Sequence, residues 1–123
     1  MLQRVKIAIE RWIEEARLNS LKGKLELTKV LAYVLASQVL SEADKKEYAT
    51  LILEELGLES SELISNVIQG NFSVLEAYIA SYMHELQEKI RRSEEKLESL
   101  KLLEDGVVIP QREEEPLSSR RAQ

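Results

Sequence analysis

From Ser73 to Glu104 the chain runs 32 residues without a glycine or a proline, and its apolar residues return at alternating steps of four and three. Ile79, Met83, Leu86, Ile90, Leu97 and Leu100 make the series, and Ser93 is its only polar member. This spacing predicts one continuous helix over 73–104 with a narrow apolar stripe. At 1.5 Å per residue it measures roughly 48 Å. The helices predicted ahead of it have at most about 17 residues and reach only about 25 Å. The stripe beyond Arg91 is therefore expected to meet another chain.

A chain of 123 residues supplies one modest core. Leu and Glu dominate it, Lys and Ala are frequent, and aromatic residues make up only 5%. Aliphatic side chains must then fill the interior, which points to an all-α fold. The absence of cysteine excludes disulfides, thiolate metal sites and a cysteine nucleophile. No apolar run approaches the ~18 residues that span a bilayer, and the N-terminus interleaves Arg4, Lys6, Glu10 and Arg11 with its apolar residues. A cytoplasmic protein without cofactor or membrane attachment is expected.

Four shorter helices are predicted before the long one. The first, from 3 to 18, carries Leu2, Val5, Ile9, Trp12, Ile13 and Ala16 on one face, read as its core side. Asn19-Ser20 and Lys22-Gly23-Lys24 read as a break. The second covers 24–40, with Leu27, Val30, Leu31, Val34 and Leu35 inward. The third, 42–56, is capped by Ser41 and closed by Gly57, with Ala43, Tyr48, Leu51, Ile52 and Leu56 inward. A short fourth helix follows a Ser60 or Ser61 cap, buries Leu63, Ile64, Val67 and Ile68, and stops at Gly70. Ser73 and Glu76 form a capping box for the fifth. The expected architecture is a five-helix bundle over 1–104, its long last helix extending as a coiled-coil-like seam. The tail, 105–123, has too little apolar surface to fold alone and is expected to be disordered.

Residues 53–70 read LEELGLESSELISNVIQG, a helix, a glycine turn and a second helix. The segment resembles the helix-turn-helix of bacterial and archaeal repressors, a resemblance covering about 18 residues. It implies DNA binding, with Ser61, Ser65, Asn66 and Gln69 toward base edges. Arg4, Arg11, Arg17, Lys22 and Lys24 are the cations that could serve the phosphates. Against this, Glu59 and Glu62 are the only charges on the second helix, and net charge is −5.

Metal chemistry finds no support. His84 is the only histidine, and Ser81 rather than Glu lies three residues before it. The four glycines all read as helix stops rather than as a phosphate loop. The favoured function is a non-catalytic assembly or accessory subunit that contacts protein, itself or a larger complex. Homodimerisation is expected through Ile79, Met83, Leu86, Ile90, Leu97 and Leu100, with Lys89 and Glu94 tuning the pairing.

Overall fold

The computed structural model describes residues 2–106. The expected disorder of the tail falls almost entirely outside them. All regular structure among the described residues is helical: α1 (Leu2–Ala36), α2 (Glu42–Leu56), α3 (Ser61–Gln69) and α4 (Phe72–Glu104). The all-α expectation holds, whereas the count is four rather than five.

The difference lies in α1, which runs unbroken for 35 residues through the expected break at 19–24. Gly23 keeps an ordinary helical φ, and nothing crowds its Cα. An interior glycine costs about 1 kcal/mol relative to alanine, too little to stop a helix that packing supports. Such packing exists on both sides of it, since Leu18 and Thr28 are buried and Leu21 and Leu25 half-buried. Thr28 satisfies its hydroxyl inside the helix, donating to the Lys24 carbonyl at 2.7 Å.

α1 ends at Ala36, four residues before the expected 40. The Ser37 hydroxyl accepts from the backbone N–H groups of Val39 and Leu40, which bends the chain away. Lys45 Nζ donates to the Leu35 carbonyl at 3.1 Å and satisfies one of the helix's terminal acceptors.

The described residues group into two compact units, one of residues 19–90 and one of residues 2–18 with 91–106. The first holds the main core: Leu31, Val34 and Leu35 of α1; Ala49, Ile52, Leu53 and Leu56 of α2; Leu63 and Val67 of α3; Leu75 and Ile79 of α4. Ser41 caps α2 by accepting from Asp44 N–H, and Ser60 caps α3 by accepting from Leu63 N–H. Gly57, at φ 73°, closes α2 with Leu58 N–H reaching back to the Leu53 carbonyl at 2.8 Å, a Schellman arrangement.

Several inward assignments shift around their helices. Val30, Ala43, Tyr48, Leu51 and Ile68 are exposed, and Leu53 and Ala49 take the inner places on α2. Helix α4 starts at Phe72, so Ser73 lies in its first turn instead of capping it. The Asn71 carbonyl accepts from Leu75 N–H, so the helix is capped two residues earlier than the predicted box.

The second unit is an antiparallel pair of helical segments. Ile7, Arg11, Glu14 and Leu18 line one face of α1 at steps of four and three, and Ser93, Leu97, Leu100 and Glu104 do the same on α4. Leu97 is 9% exposed and Leu100 6% within the single chain. The expectation that nothing in this chain could shelter them fails because α1 has about the length of α4.

Candidate interaction surface

The closed face of the second unit contains an ionic layer. Glu14 is 2% exposed. Ser93 Oγ donates to its Oε2 at 2.5 Å, Arg17 Nη1 donates to Oε1 at 2.7 Å, and Lys96 Nζ lies 3.5 Å from Oε1. The Ser93 hydrogen bond, opposed by burial and helped by Arg17 and Lys96, holds the Glu14 carboxyl below its ordinary range. One turn earlier on α1, Arg11 forks onto Glu104 and reaches Glu15 at 3.1 Å. A buried carboxylate with this many donors is a structural element.

The opposite face of the same α1 segment is bare. Leu2, Val5, Ile9 and Trp12 repeat at steps of three and four, and Ile13 flanks them. All five are exposed, Trp12 by 57%. These residues were expected to be the core side of the first helix. The inward side is instead the series containing Arg11 and Glu14, because only that series matches the polar position of Ser93 on α4. The Ser93–Glu14 hydrogen bond sets the polar member of the α4 series against a polar member of the α1 series.

The predicted seam on α4 lies inside the chain. Ile79, Leu86, Ile90, Leu97 and Leu100 are buried and Met83 is half-buried, while Lys89 and Glu94 are exposed. Pairing two chains through these apolar residues would require uncovering them first.

The segment resembling a helix-turn-helix does form two helices joined through Gly57, with α2 and α3 in contact. Its polar residues mostly serve α3 itself: Asn66 Nδ2 donates to the Glu62 carbonyl and Gln69 Nε2 to Ser65 Oγ, each at 3.1 Å. Ser61 and Ser65 are exposed. Among the proposed phosphate contacts, Arg11 and Arg17 are engaged by carboxylates. Arg4, Lys22 and Lys24 are exposed side chains.

Elsewhere, Tyr78 and Tyr82 stack at 6.5 Å on α4, and burial raises the pKa of the Tyr82 hydroxyl. A hollow of about 360 Å³ is lined by Ala32, Ala36, Ile79, Ala80, Met83 and His84, among others. It is mainly apolar and brings no nucleophile beside a base. Among the described residues no group of three His, Cys, Asp or Glu side chains could hold a metal ion, and no helix is long and apolar enough to cross a membrane.

Compared with known proteins, the chain matches no family model, no curated protein and no solved structure.

Proposed function

We propose that this protein is a non-catalytic assembly or accessory subunit whose working surface is the outer face of α1 near its N-terminus. One observation carries the reading: Leu2, Val5, Ile9, Trp12 and Ile13 stand exposed on a helix whose other side is already packed. Contiguous apolar surface of this kind on a rigid scaffold marks a contact site. Trp12 at its centre is the residue type that most often anchors protein contacts. Burying five half-exposed side chains of this size is worth about 5 kcal/mol, an appreciable part of a binding free energy.

This placement differs from the expected seam on α4 because it asks nothing of the folded chain: the contact residues are already outside. The test compares wild type with Ile9→Asp and Trp12→Glu, by light scattering of the purified chain and by affinity isolation from native extract. Association, whether with itself or with a defined partner, is expected to depend on both residues. Identical mass and identical co-isolated proteins for all three would overturn the proposal.

A further inference from the structure

Resting on that reading, we infer that the occupant of the bare α1 face is a second copy of this chain, laid alongside in the same direction and in register. The stripe is self-complementary. Leu2, Ile9 and Ala16 occupy one set of heptad positions, and Val5 and Trp12 the other. In same-direction pairing every layer meets its own counterpart, and Ala8 beside the seam lies against Ile13 of the other copy.

Charge agrees with this orientation. The residues at the edges of the stripe are Lys6 and Ile13 on one side, Ala8 and Glu15 on the other. Parallel alignment brings no like charges together across them. The opposite-direction register that uses Leu2 through Trp12 sets Lys6 against Lys6, and the next one leaves Leu2 outside. A lipid surface is less suited, because the edges offer one lysine and one glutamate instead of a cationic fringe.

Area also fits. The five exposed apolar side chains present roughly 500 Å² on one face, the size of a functional surface patch. With the stems of flanking residues this approaches the about 800 Å² that each partner contributes to a standard interface. The helix is fixed by its packing in the chain, so little ordering accompanies association.

Trp12 is the only tryptophan and the chain has no cysteine, so two probes report on this face without interference. Over a dilution series of the full chain, sedimentation is expected to show a doubled mass at high concentration. Trp12 emission is expected to shift to shorter wavelength over the same concentration window. Ile9→Asp should weaken self-association at least about 100-fold while leaving the helical circular dichroism of the dilute chain unchanged. A single-cysteine Ala16→Cys chain should oxidise to a linked dimer.

A chain that stays monomeric with unmoved emission overturns the inference. So does a dimer that survives Ile9→Asp with Trp12 still exposed, although assembly through another face would then stand. Emission that shifts only on vesicles of anionic lipid overturns both self-pairing and the protein-contact reading. If Ala16→Cys fails to link while mass and emission behave as expected, the parallel register is wrong.

Discussion

Glu14 shows how one side chain can set a fold's tolerance to acid. Its carboxyl is held below the ordinary 4.5 by Ser93 first, then by Arg17 and Lys96. A carboxyl depressed on folding contributes stability that is fully present above its unfolded value and is lost as pH falls through its folded one. Below pH 4.5 wild type should therefore lose stability more steeply than Glu14→Gln, as urea melts at stepped pH would read. At neutral pH, Glu14→Ala leaves the buried Ser93 hydroxyl without its acceptor and should cost on the order of 1–3 kcal/mol. Equal melts for Glu14→Ala and wild type would show that the layer contributes nothing.

At the level of helices, continuity of α1 is the decisive fact. Gly23 lies at an exposed position with open space around its Cα and a φ any residue adopts. Gly23→Ala is expected to stabilise by about 0.5–1 kcal/mol, seen as a higher denaturant midpoint at unchanged slope. Gly57, at φ 73°, should respond in the opposite sense. Leu97→Ala should cost about 2–5 kcal/mol through a cavity, by an amount independent of protein concentration, because its cover comes from its own chain. A cost that vanished on dilution would return Leu97 to an intermolecular contact.

Much of this was legible from residues. Ser41, Gly57 and Gly70 announced their caps, and the α3 cap fell on Ser60, one of the two serines expected, because side-chain and left-handed capping depends on one or two neighbours. The uninterrupted 73–104 run announced α4 to within one residue. The expected break in α1 does not form because Asn, Ser and Gly lower helix propensity only modestly, and packing at Leu18, Leu21 and Leu25 outweighs them. The buried face of α1 differs from the expected one because its outer stripe is the more apolar of the two. Hydrophobicity alone selected it, whereas the match between Glu14 and Ser93 selects the other.

On the scale of the whole molecule, charge bears on the DNA-binding alternative. The chain carries net −5, and α3 brings Glu62 but no cation to the would-be recognition helix. Phosphate neutralisation supplies most non-specific affinity. A titration of duplex DNA at low salt should accordingly stay flat, and a binding curve that steepens as salt is removed would restore the helix-turn-helix reading.

The ionic layer also governs alignment. Sliding α1 by seven residues toward the α4 C-terminus would seat the Glu14 carboxylate on Leu100, a charge against hydrocarbon, so the aliphatic rows cannot slip past one another unnoticed. Glu14 and Ser93 act as a key in its lock: whole heptads could be grafted onto both rods beyond them, and the lengthened chain would still close at the same notch.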